Sequence, residues 1–84
     1  MKPSAHVRSS INDDGVVLLD IATGRIFSAN SIGARIWQGL EDGLSLSAIA
    51  DRLAAETGAD RAVVERDAAD FVTTLRARAL VNEP

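Results

Sequence analysis

The chain has no cysteine and no tyrosine, a single histidine, and aromatic residues amounting to 4% of its 84 positions. Without cysteine there are no disulfide staples and no thiolate chemistry, which fits a reducing cytoplasm. One histidine without cysteine makes a transition-metal site untenable and leaves the usual nucleophile–base pairs without members. His6 lies near the N-terminus and reads as an exposed strand residue. With only Phe27, Trp37 and Phe71 as aromatics, the core must be built from Ala, Val, Ile and Leu. Trp37 is expected inside it. The longest apolar run, Val16-Val17-Leu18-Leu19, is far short of a membrane span, and Met1 to Ser10 contains no apolar signal-peptide core. Basic character is lacking too. The formal charge is −3 and the isoelectric point about 4.9, whereas nucleic-acid binders usually carry a basic face.

What is present is a small domain with room for one modest core, here taken to span residues 1–84 with its ordered part over about 5–81. Ala5, Val7, Ser9 and Ile11 alternate with His6, Arg8 and Ser10, which predicts a strand. Asn12-Asp13-Asp14-Gly15 is a turn, Val16 to Ile21 a β-branched and aliphatic strand, and Thr23-Gly24 a tight turn into a short strand over Arg25 to Ser28. Three helices follow. Asn30 and Ser31 suit the cap of the first, with Ile32, Ile36, Trp37 and Leu40 at helical spacing and Glu41-Asp42-Gly43 as its end. Ser45 caps the second, with Leu44 and Ile49 spaced as a hydrophobic staple, Leu46, Ile49, Ala50 and Leu53 as its stripe and Gly58 as its stop. Asp60 caps the third, which runs to about Arg78 with Val64, Ala68, Phe71 and Leu75 on one face. Acids crowd its first half, and Arg76 and Arg78 its end, as the helix dipole favours. Leu80 and Val81 should fold back onto the core, while Met1 to Ser4 and Asn82-Glu83-Pro84 should fray. The resulting class is α+β, winged helix-turn-helix-like: a three-stranded antiparallel sheet followed by three helices. Its last strand can lie at an open edge.

The catalytic inventory is empty. Asp67 and Asp70 are three apart on one helix face, but read as a solvated face rather than an acid–base pair. Asp13-Asp14 is turn chemistry. Gly24, Gly33, Gly39, Gly43 and Gly58 suit turns and packing and form no phosphate-cradling loop. No metal or cofactor is expected, so binding rather than catalysis becomes the default.

Three segments then carry a resemblance: Phe27-Ser28-Ala29-Asn30-Ser31-Ile32-Gly33-Ala34-Arg35-Ile36-Trp37, Glu41-Asp42-Gly43-Leu44-Ser45-Leu46-Ser47-Ala48-Ile49-Ala50, and Val64-Glu65-Arg66-Asp67-Ala68-Ala69-Asp70-Phe71-Val72-Thr73-Thr74-Leu75. In order and spacing, Arg25 to Val81 resembles the PqqD family, the peptide-recognition domains of ribosomal peptide modification pathways. Two departures stand out. Ala29 occupies a place where the family commonly has Leu, which should leave a pocket roomier. Ala79 occupies a place where it commonly has Gly, which should affect only the helix end. The resemblance implies an adaptor whose third strand takes a precursor's leader peptide as an added strand, in a groove beside the third helix. It implies main-chain pairing at Arg25, Ile26, Phe27 and Ser28, apolar contacts at Val64, Ala68, Phe71, Val72 and Leu75, and polar rim contacts at Asp67, Asp70 and Arg76. Phe71 and Leu75 can equally be core. Of the neighbours Ile26 and Phe27, one faces inward and the other outward. The stand-alone size suits a lasso-peptide pathway, with a separate leader peptidase and cyclase as partners. A PqqD-type partner of a radical-SAM peptide-modifying enzyme and an assembly subunit that activates a larger enzyme are the neighbouring readings. A winged-helix DNA binder is the competing class. Its recognition segment, Ala48 to Thr57, offers Arg52 opposed by Asp51 and Glu56, and residues 60–70 carry four acids and two arginines. Neither nucleic acid nor membrane is expected as a partner.

Overall fold

The computed structural model describes residues 1–82; the expected fraying of Glu83 and Pro84 lies outside the described residues. In chain order the elements are β1 (Lys2–Pro3), β2 (Val7–Asn12), β3 (Gly15–Asp20), β4 (Ile26–Asn30), α1 (Ser31–Glu41), α2 (Leu46–Thr57), α3 (Arg61–Ala77) and β5 (Val81–Asn82). β2, β3 and β4 form the expected antiparallel sheet with β3 at its centre. The Asn12 side chain closes the first turn by accepting from the Asp14 and Gly15 N–H groups. Asp20 closes the second by accepting from Ala22 and Thr23.

All three helix caps lie where the polar residues before each apolar stripe put them. Asn30 accepts from Gly33, Ser45 from Ala48, and Asp60 from Ala62 and Val63. Each satisfies backbone donors that the first helical turn leaves unpaired. Since Asn30 is both the last residue of β4 and the cap of α1, the strand passes into the helix without a loop.

Alternation places Val16 and Leu18 on the covered face of the sheet, against Ile36, Trp37 and Leu40 of α1, Ile49 and Leu53 of α2, and Ala68, Val72 and Leu75 of α3. Trp37 is buried, as its helical spacing predicts. The opposite face of the sheet exposes Val17, Leu19 and Ile26, with Ile21 beside them.

One expectation fails. Neither Met1 to Ser4 nor Asn82 frays: Lys2 pairs with Asn82, Pro3 with Val81, and the Ser4 N–H donates to the Leu80 carbonyl. Leu80 and Val81 do return to the core. That return brings the C-terminal segment alongside the N-terminal one and creates the small second sheet. Among the described residues no helix is long and apolar enough to cross a membrane.

Candidate peptide-binding groove

The site is built on β4. Its register with β3 pairs Leu19 with Ile26, Leu18 with Phe27 and Val17 with Ser28. The Asp20 N–H donates to the Arg25 carbonyl at 2.9 Å, so residues 20 and 25 form a hydrogen-bonded pair. Antiparallel ladders alternate, and the backbone groups of Phe27 and Ala29 therefore point to β3 while those of Ile26 and Ser28 point away from it. β4 is the edge of its sheet, and the outward N–H and C=O groups of Ile26 and Ser28 take no partner among the described residues. The resemblance implied main-chain pairing at Arg25, Ile26, Phe27 and Ser28. Of these four, Ile26 and Ser28 have outward-facing backbone groups, whereas Phe27 faces β3 and Arg25 gives its carbonyl to Asp20 and its N–H to the Thr23 Oγ1.

Side chains divide in the opposite sense. Ile26 lies on the outer face and is 68% exposed, while Phe27 turns inward and is half-buried. Phe27 meets Phe71 of α3, with ring centroids 6.1 Å apart. The open edge thereby borders a groove whose walls are Phe27 to Asn30 on one side and Asp67, Phe71 and Thr74 on the other, with Ile32, Gly33 and Ile36 as its floor. Gly33 makes the close approach possible. A Cβ there would lie 2.6 Å from the Ala29 Cβ and 3.2 Å from the Phe71 ring. Ala29, the shortened residue, lines the same groove. At the Asn30 end the groove continues into an apolar pocket of about 210 Å³ lined by Ile32, Ile36, Leu53, Val63, Val64 and Ala68. That volume suits one branched or aromatic side chain, since a cavity of about 150 Å³ already admits benzene.

The predicted α3 contacts separate accordingly. Val64, Asp67 and Phe71 line the groove or its pocket, and Ala68, 0% exposed, closes that pocket from the core. Val72 and Leu75 do not. They are 2% and 0% exposed and belong to the core cluster. Arg76 is also misplaced as a rim residue: its guanidinium reaches the Met1 sulfur on the side of the terminal strands. Asp70 is exposed but lines no part of the groove. Sequence reasoning missed Arg78. Its guanidinium carbon sits 5.1 Å from the Phe27 ring centroid, a cation–π position. As a helix-end cation, Arg78 was readable only as a partner of the dipole.

Electrostatics elsewhere argue against nucleic acid. Arg52 of the would-be recognition helix is tied to Asp42, Arg35 to Glu56, and Arg61 to both Asp51 and Glu65. These three helix guanidinium groups are already matched by carboxylates, which makes them poor phosphate contacts. Among the described residues no group of three or more His, Cys, Asp and Glu is placed to hold a metal ion.

The profile of the family described as coenzyme PQQ synthesis protein D (PqqD) matches residues 15–81. The chain belongs to the PqqD family. Among solved structures it is similar to TbiB1 in complex with the TbiA(beta) leader peptide, at 42% identity over 100% of this chain and 98% of that one, with a TM-score of 0.92. It is also similar to a lasso peptide synthetase B1 complexed with the leader peptide, at 32% identity over 98% and 96% of the two chains and a TM-score of 0.87. No curated protein matches it. This PqqD-family chain thus has the α+β fold that its residues predict, with three sheet strands preceding three helices.

Proposed function

We propose that this PqqD-family chain acts as a single domain that binds the leader segment of a ribosomally made precursor peptide and delivers it to modifying enzymes, performing no chemistry of its own. The observation that carries the proposal is the outward-facing, unpaired backbone of Ile26 and Ser28 beside the Phe27–Phe71 groove. An extended peptide finds there the hydrogen-bond partners that a sheet edge lacks, and pockets for alternate side chains. The opposite sheet edge, β2, exposes Arg8, Ser9 and Ser10, and the hollow beside its end, lined by Ile11, Asn12, Ala34, Arg35 and Gln38, has no aromatic wall, so it is the poorer template.

Main-chain pairing is assigned to Ile26 and Ser28, aromatic contact to Phe27 and Phe71, and an apolar anchor site to the pocket under Val63, Val64 and Ala68. Asp67 stands at the junction of pocket and groove as the polar contact. Both similar solved structures hold leader peptides, and one is named as a lasso peptide synthetase component. Those likenesses favour delivery to a lasso-pathway leader peptidase and cyclase, in the cytoplasm, over service to a radical-SAM enzyme. Fluorescence anisotropy with the labelled leader of its precursor tests the reading. Saturable binding with Kd below about 100 μM is expected, and none at that concentration refutes it.

A further inference from the structure

The two ends of the groove differ in charge. Asp67 stands at the Asn30 end. At the Ile26 end, Arg25 and Arg78 line a small adjoining pocket together with Phe27 and Asp20. Neither arginine has an ion-pair partner among the described residues, whereas Arg35, Arg52 and Arg61 all do. Asp20 makes no ion pair with either. Its Oδ1 accepts from the Ala22 and Thr23 N–H groups, and its Oδ2 lies 3.7 Å from the His6 Nε2. Arg78 is further held over the Phe27 ring. Two guanidinium groups therefore share one pocket at one end of an unpaired strand edge, and neither is ion-paired to Asp20, the carboxylate that lines it with them.

Direction follows from topology. Along α3, Asp67 comes first and Arg78 last, while the β4 residues beside them run from Asn30 back to Ile26. A strand added antiparallel to β4, as the rest of the sheet is, begins beside Asp67 and ends beside Arg25 and Arg78.

We propose that the peptide taken up by this edge carries an Asp or Glu just C-terminal to its strand-pairing residues, and that this carboxylate is received by Arg25 and Arg78. The inference rests on the reading of β4 as the peptide-binding edge. Backbone pairing is nearly indifferent to sequence, and a strand can slip along an edge unless a side chain pins it. A charge pair at one end sets the register and rejects the reversed strand, which would bring its acid to Asp67. Arginine suits the task because its planar fork binds a carboxylate through two hydrogen bonds.

Phage-displayed random peptides of about 15 residues, roughly 50 Å when extended, provide the test. They are selected on the full chain, on Arg25→Gln/Arg78→Gln and on Arg25→Glu/Arg78→Glu, with circular dichroism of each protein as the folding control. The wild-type selection should enrich an acidic residue at one fixed place C-terminal to an alternating apolar run. The double glutamate variant should enrich Lys or Arg at that place, a gain that an unfolded protein cannot show. In a synthetic peptide of the selected sequence, replacing the acid by its amide should weaken binding to the wild type about five- to tenfold, and to the double glutamine variant less than about twofold. Enriched peptides without an acidic place, or an acidic preference that survives both double variants, overturn the inference while leaving strand addition standing. If the wild type enriches no peptide at all, the edge reading falls and takes the inference with it.

Discussion

Ala79 is the one non-glycine residue with positive φ among the described residues, at +57°. It follows the C-cap Arg78, and the hydrogen bonds around it define a Schellman motif: Leu80 N–H to the Leu75 carbonyl at 2.9 Å and Ala79 N–H to the Arg76 carbonyl at 3.0 Å. The apolar pair that accompanies this motif is present, since Leu75 and Leu80 are both buried. An L-residue with a Cβ costs about 1–2 kcal/mol in the left-handed region. Glycine relieves that cost but loosens the unfolded chain by about 0.4–1 kcal/mol. Ala79→Gly should therefore stabilise the domain by about 0.5–1 kcal/mol and raise Tm by about 3–6 °C. Gly58, which ends α2 at φ +73°, is the internal control: Gly58→Ala should lose a comparable amount. Thermal and urea denaturation followed by far-UV circular dichroism measure both. A lower Tm for Ala79→Gly, with the expected loss for Gly58→Ala, would refute the argument that the helix end is held in strain by its leucines.

Phe71→Asp should weaken leader binding at least about tenfold, since an aromatic contact is worth about 1.5–3 kcal/mol, and should keep the native circular dichroism because Phe71 is only half-buried. Leu75→Ala should instead cost about 2–5 kcal/mol of stability as a core truncation, which urea denaturation will distinguish. Burial by itself raises the Asp20 carboxyl pKa, but the Thr23 and Ala22 N–H groups and the His6 charge outweigh it and hold the group below its ordinary value. With a depressed folded pKa, its contribution is complete above the unfolded value of about 3.9 and is lost as pH falls through the folded one. Denaturation midpoints of wild type and Asp20→Asn should therefore differ at neutral pH and converge on strong acidification.

How far the residues foretold this arrangement varies by element. The helices were legible because caps, apolar stripe and stop agree in each, as with Ser45, Leu46 to Leu53, and Gly58. The terminal pair Lys2–Pro3 with Val81–Asn82 was not, because two-residue strands carry no periodicity and Pro3 argues against a strand. At the site, an apolar stripe announces that a helix face is covered, not by what. Phe71 and Leu75 share that stripe, yet one lines the groove and the other fills the core. Arg76 and Arg78 looked equivalent in the sequence, but two positions of helical rotation carry them to nearly opposite sides. Which β4 residues face outward needed the register of the ladder, since alternation alone leaves both phases open.

The most direct test of an open β4 edge is leader binding by Ser28→Pro. The Ser28 N–H points away from β3, so proline there removes an outward donor and blocks the edge without breaking the sheet. Fluorescence anisotropy with the labelled leader should show affinity reduced at least about tenfold, beyond the loss of one hydrogen bond, with circular dichroism unchanged. Phe27→Pro, which removes a donor to β3, should disrupt the fold instead. If Ser28→Pro binds the leader as tightly as the wild type, the peptide does not add to β4, and the account is wrong at its centre.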